Sequence, residues 1–150
     1  LLPMNICVFC FDFSGSGLSE GEYVTLGHFE KLDLETVIEY LRKSESVTRI
    51  ALWGRSMGAV TSILYGVTDP SVACMILDSP FSSLTTLSQE LIETMQIKLP
   101  KLMVKAGMKV VSRSVKSRAQ LDINKLEPIK AAPCCFIPCL FVHGKGDDFI

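Results

Sequence analysis

The 150-residue chain is 48% hydrophobic and 21% charged, the balance of an ordinary folded domain and not of a disordered or collagen-like polymer. It is long enough for one domain with a sizeable buried core, and no apolar run in it approaches the roughly 20 residues needed to span a bilayer. The net charge of −1 hides an asymmetry: residues 98–130 hold nine basic and two acidic residues, a net +7, which leaves −8 for the remainder.

The chain opens on LLPMNICVFCFDF, which is apolar but has neither a basic leading segment nor a small-residue cleavage site. It reads as a strand covered on both faces, not as a secretion signal. A glycine- and serine-rich turn follows, DFSGSGLSEGE. From about Leu32 to Leu41, Leu34, Val37, Ile38 and Leu41 recur at helical spacing, and Asp33 and Glu35 fall in the first turn. RIALW is a second buried strand, SMGAVTSILYG a helix ending near Gly66, and VACMILD a third strand. Strand, helix, strand, helix, strand implies right-handed crossovers and a parallel sheet. FIPCLFVHG supplies a fourth strand. The stretch before it is too long for a plain loop. It contains a helix with Met95, Leu99, Leu102, Met103, Ala106 and Val110 on one face and Lys98, Lys101, Lys105 and Lys109 on another, Pro100 fitting its first turn.

The six cysteines (Cys7, Cys10, Cys74, Cys134, Cys135, Cys139) lack the paired CxxC spacing of a zinc site, and several lie in or beside apolar strand runs. They read as reduced, mostly buried small hydrophobes, which favours a cytoplasmic setting. No cofactor or metal is implied.

Gly54-Arg55-Ser56-Met57-Gly58 matches G-x-S-x-G between a buried strand and a helix. That context gives the pattern chemical meaning: a serine on a strained strand-to-helix turn exposes its Oγ above the sheet, and the N–H of the next residue, Met57, becomes an oxyanion donor. Without it, Ser56 would be a glycine-flanked helix cap.

FDFSGSGLSEG, GRSMG, LDSPF and VHGKGDD together, in this order and at these strand ends, resemble the α/β-hydrolase superfamily in its prolyl-oligopeptidase-like and serine-aminopeptidase-like branches. The resemblance covers the whole chain. It implies an α/β-hydrolase fold, a mostly parallel sheet with helices on both faces, and a helical lid or cap over residues 82–132 inserted in a partial domain of 1–150. The segment ending near Phe11 corresponds to the family's fourth strand. The first three strands and the last strand with its histidine loop have no counterpart here, so the chain is expected to be part of a longer protein.

The family's triad runs Ser, Asp or Glu, then His. Its acid commonly lies in an HGxxD pattern after the seventh strand, which here implies Asp147, with Asp148 beside it. Some members carry the acid after the sixth strand, where this chain has Asp78. Both histidines precede Asp147. His143 stands inside the acid motif, where the resemblance implies loop shaping, and His28 lies before the first helix in a segment the family does not use for the base. The base is therefore expected beyond Ile150. Arg55 varies in role within the family and is not assigned to the site.

The resemblance implies acyl transfer to water: a carboxylester or lipid-type acyl substrate first, a thioester second, a peptide third. A hydrolase-like binding module without catalysis is the competing class. The basic lid suggests weak contact with an anionic membrane or an acidic substrate. The positive charge is confined to one amphipathic segment without interleaved aromatics, which argues against nucleic acid.

Overall fold

A computed structural model describes residues 1–44, 46–94 and 101–147. Its sheet has three parallel strands in the order β1 (Ala51–Arg55), β2 (Cys74–Asp78) and β3 (Cys139–Val142). Leu52 pairs with Met75 and Gly54 with Leu77 across the first ladder, and Ile76 pairs with Leu140 across the second. Helix α1 (Glu30–Arg42) precedes β1, and α2 (Met57–Gly66) connects β1 to β2. Between β2 and β3 lie α3 (Leu84–Thr94), α4 (Lys101–Ala119) and the short α5 (Pro128–Ala131). Short 3₁₀ turns occupy Leu2–Met4 and Ala132–Cys134. The parallel order and the helix–strand alternation are those expected from the sequence.

One core cluster joins α1 to the sheet through Leu34, Ile38, Leu52, Ala59, Ile63, Met75, Leu77 and Ile137. Burying a side chain such as Ile38 contributes about 1.5–3 kcal/mol. A second cluster forms where Val60 of α2 meets Phe81, Leu84, Leu87, Leu121, Ile123 and Leu126. Helix α1 starts at Glu30, two residues earlier than its apolar spacing suggests, and this has a local cause. The Glu30 carboxylate is buried and folds back on the preceding turn. It accepts hydrogen bonds from the Thr25 N–H (2.5 Å), the Thr25 hydroxyl (2.6 Å) and the Gly27 N–H (2.8 Å).

Several expectations are corrected. Residues 6–13 form no ladder among the described residues, because a strand requires a hydrogen-bonded neighbour and β1 pairs there only with β2. The segment is held by its side chains instead: Phe11 and Phe13 meet edge to face at 5.0 Å and pack on the first core cluster, while Val8 and Phe9 stay exposed. Strand β1, read as buried, is buried only at Leu52 and Gly54, and its Trp53 is 65% exposed because no described element covers that face. Strand β3 is exposed at all four positions. The cysteines, read as mostly buried, are free thiols of which five are exposed and Cys135 is half-buried. Cys135 is the one that packs against the first core cluster.

The excursion between β2 and β3 is helical as expected, but α4 docks through a different face. Met108, Val115 and Ala119 pack on the second core cluster, whereas Leu102, Met103, Ala106 and Val110 point to solvent. Met95, Lys98, Leu99 and Pro100, which the sequence places at the start of this helix, lie outside the described residues. No described helix is long and apolar enough to cross a membrane.

Candidate active site

The site is built at the carboxyl ends of the three parallel strands, where an open α/β sheet presents its ligands. Ser56 follows β1 directly and caps α2 with φ 48° and ψ −113°. A side chain other than glycine is strained at that φ and persists there only when its surroundings impose it. Two constraints do so here. The Ser56 N–H donates to the Asp78 carbonyl at 2.8 Å, which extends the β1–β2 ladder by one step. The helix then begins at once, with the Val60 N–H donating to the Ser56 carbonyl at 3.1 Å. Met57 is the first residue of α2, so its N–H belongs to the amides that have no acceptor within the helix.

The flanking glycines have different duties. A Cβ on Gly54 would fall 2.2 Å from the backbone of Gly58, so close approach of strand and helix demands glycine there. A Cβ on Gly58 would meet no described atom within 4 Å.

Beside Ser56, the end of β2 carries Asp78 and Ser79. Asp78 accepts from the Ser79 hydroxyl at 3.2 Å and lies 3.8 Å from the Nε of Arg55, whose side chain is otherwise exposed. Ser79 was not singled out in the sequence. It is buried, has φ +47°, and donates its N–H to the Val142 carbonyl at 2.8 Å. Two consecutive strand ends therefore each finish on a serine in a strained conformation. No sequence signal marks Ser79: the proline that follows it favours an extended backbone with negative φ, not the φ of +47° that it adopts.

Asp147 lies five residues beyond β3, at the same carboxyl end of the sheet as Ser56. Its N–H donates to the Gly144 carbonyl at 3.2 Å in a tight turn, and its side chain is 24% exposed. The Nε2 of His143 stands 3.7 Å from an Asp147 carboxylate oxygen, an ion pair only when the imidazole is protonated. Adjacent strands are about 4.8 Å apart, so two spacings set β1 and β3 about 10 Å from each other. Asp148 lies outside the described residues. His28 sits elsewhere, in the turn before α1, with its ring 4.6 Å from Phe29. Burial and then the neighbouring Lys31 hold its pKa below the ordinary value.

A mostly apolar cavity of about 360 Å³ opens beside this end of the sheet, lined by Ile63, Phe81, Pro128, Ile129, Phe141 and His143 among others. His143 is the one residue it shares with the candidate site. Among the described residues no group of three or more His, Cys, Asp or Glu is placed to hold a metal ion.

Comparison with known proteins agrees with this fold. The family model for serine aminopeptidase, S33 (Hydrolase_4), matches residues 1–135. YqkD, an uncharacterized protein of Bacillus subtilis strain 168, is 28% identical over 99% of this chain and 48% of its own length. The Pyrococcus furiosus esterase Pf2001 superposes with a TM-score of 0.69 at 24% identity, over 93% of this chain and 50% of that one. A second crystal form of the same esterase gives 0.67. At this identity the likeness to the esterase establishes the fold alone. The chain spans about half the length of the relatives it matches. With a parallel sheet that ends on a strained serine turn, and a family match over most of its length, the chain belongs to the serine aminopeptidase S33 family of the α/β-hydrolase superfamily.

Proposed function

We propose that this chain carries the nucleophile and the acid of a serine hydrolase that transfers an acyl group to water. The observation that carries the reading is the backbone of Ser56, φ 48° and ψ −113° at a strand-to-helix turn, the conformation that lifts a nucleophile above the sheet. Ser56 Oγ attacks the substrate carbonyl while a histidine takes its proton. The oxyanion settles on the Met57 N–H, and the histidine returns the proton to the leaving group. Water then attacks the acyl-enzyme by the same route and regenerates Ser56. Asp147 orients the histidine, which on this reading comes from outside these 150 residues. The helices of residues 82–132 act as the cap.

A carboxylester or lipid-type acyl group is the substrate class we favour, and the apolar cavity beside the strand ends and the esterase activity named for Pf2001 support it. The family's own description, serine aminopeptidase, keeps a peptide carbonyl as the second reading. The test is a fluorophosphonate probe applied to the protein carrying this chain and to its Ser56→Ala form. Labelling lost in the variant supports the assignment. Labelling of neither, with an intact fold, moves the protein to a hydrolase-like binding module.

A further inference from the structure

Helix α4 has two apolar stripes, and the fold uses one of them. At 100° per residue, Met108, Val115 and Ala119, which pack on the second core cluster, share one face with Val104, and each of the four is at least half-buried. Leu102, Ala106 and Val110 fall on the opposite side at intervals of four, with Met103 next to them. Leu102 is 79% and Val110 66% exposed. A stripe of this kind facing water is unfavourable unless something covers it.

The charge around the stripe indicates what covers it. Lys105 and Lys109 border it on one side, Arg113 continues along it, and all three are exposed. Among the described residues Lys116 is the α4 cation that makes an ion pair, with Asp122 at 3.1 Å. Residues 94–121 contain no Asp or Glu. Apolar residues in line, flanked by cations and free of carboxylates, match a bilayer interface: aliphatic groups enter the headgroup boundary while lysine and arginine meet lipid phosphates and carboxylates. A protein partner fits less well, because α4 contributes no Trp, Tyr or Phe, the residues on which protein interfaces concentrate their binding energy.

We propose that the outward face of α4, Leu102, Met103, Ala106 and Val110 flanked by Lys105, Lys109 and Arg113, docks the protein on the surface of an anionic lipid bilayer. The proposal does not rest on the role given to Ser56. It also reverses the simpler view of these residues, in which the apolar stripe faces the sheet and only the lysines meet solvent.

Co-sedimentation with vesicles tests it, using phosphatidylcholine alone and phosphatidylcholine with about 30% phosphatidylserine, at roughly 0.1 M and 0.5 M salt. The protein is expected on the anionic vesicles, with binding that weakens as salt rises. Removing one lysine, Lys105→Ala or Lys109→Ala, should lower the partition constant about fivefold, and removing both on the order of 25-fold. Leu102→Ser with Val110→Ser should lower it as well, since the apolar residues enter the interface. All four positions are exposed, and circular dichroism confirms that the variants keep the fold. Absence of binding, equal binding to neutral vesicles, or binding indifferent to either pair of substitutions overturns the proposal. Soluble polyglutamate binding the protein as tightly as the vesicles do, with no effect of the Leu102 and Val110 changes, assigns the face to an acidic polymer instead.

Discussion

The N–H of Ser56 donates to the carbonyl of Asp78 at 2.8 Å, one step past the last paired residues of β1 and β2. This bond ties the strained turn to the neighbouring strand before α2 begins, so the Ser56 backbone is held from both sides. What lets α2 begin so early is Gly54, whose Cα faces the backbone of Gly58. Gly54→Ala should therefore destabilise the protein by about 3 kcal/mol, the upper end for forced overpacking, and abolish probe labelling of Ser56. Gly58→Ala should change stability by less than about 1 kcal/mol, since the new methyl meets no described atom. Urea unfolding of the two variants checks the contrast. Equal losses at the two positions would show that the turn does not depend on this close approach.

The two carboxylates at this end of the sheet are in different circumstances. Asp78 is engaged by the Ser79 hydroxyl and lies near Arg55, while Asp147 has the His143 imidazole at 3.7 Å. If Asp147 orients the base, Asp147→Asn should lower kcat for a short p-nitrophenyl ester by on the order of 10⁴-fold, as loss of the orienting carboxylate does in serine hydrolases. Asp78→Asn should cost less than about tenfold, because a surface-near ion pair contributes little. A reversed pattern would transfer the acid role to the end of β2.

The parallel sheet and the strand-to-helix turn at Ser56 were legible because both depend on short-range pattern. Apolar runs such as ALW and MIL declare strands whatever lies beside them, and GRSMG acquires its meaning from the strand and helix on either side. Membership of a ladder is not a local property: residues 6–13 have the composition of a central strand, yet they pair with nothing described. The orientation of α4 was equally hidden. Leu102, Ala106 and Val110 repeat every four residues as regularly as Val104 and Met108, and only contact with Leu84, Leu87 and Leu121 decides which stripe turns inward. Ser79 and Glu30 escaped notice because strain and burial belong to their surroundings.

The buried position of Glu30 can be tested through stability. Burial works to raise its pKa, but the hydrogen bonds from Thr25 and Gly27 outweigh it, so the carboxyl titrates below its ordinary value. A depressed carboxyl pKa stabilises the folded state above the ordinary value and loses that contribution as pH falls through the folded one. Glu30→Gln should cost about 2 kcal/mol near neutrality, where charge-assisted bonds are lost. The gap between variant and parent should then narrow on acidification below about pH 4. Denaturant midpoints at pH 7 and in the acid range measure it, and a gap constant with pH would mean that Glu30 acts by shape alone.

Asp69 joins the ends of α1 and α2, and its effect on stability should have a defined pH window. Its Oδ2 accepts from the Tyr65 hydroxyl at 2.6 Å and meets Arg42 Nη2 at 2.7 Å, while Oδ1 accepts from the Ser71 hydroxyl at 2.7 Å. Burial opposes ionisation, yet these partners prevail and hold the pKa down at about 2, from an ordinary 3.8. Tyr65 moves the other way, pushed up first by burial and then by its bond to Asp69. A folded pKa near 2 contributes stability that is complete above about pH 4 and disappears between there and pH 2. The shift corresponds to about 2 kcal/mol, or nearer 1 after allowing for screening of the partly exposed Arg42. Asp69→Asn should lose that amount at pH 7 and progressively less below pH 4. Tyr65→Phe combined with Asp69→Asn in a double-mutant cycle should give a coupling of about 1 kcal/mol. Additive losses would place the stabilisation on Arg42 and Ser71 and leave the tyrosine as packing against the first core cluster.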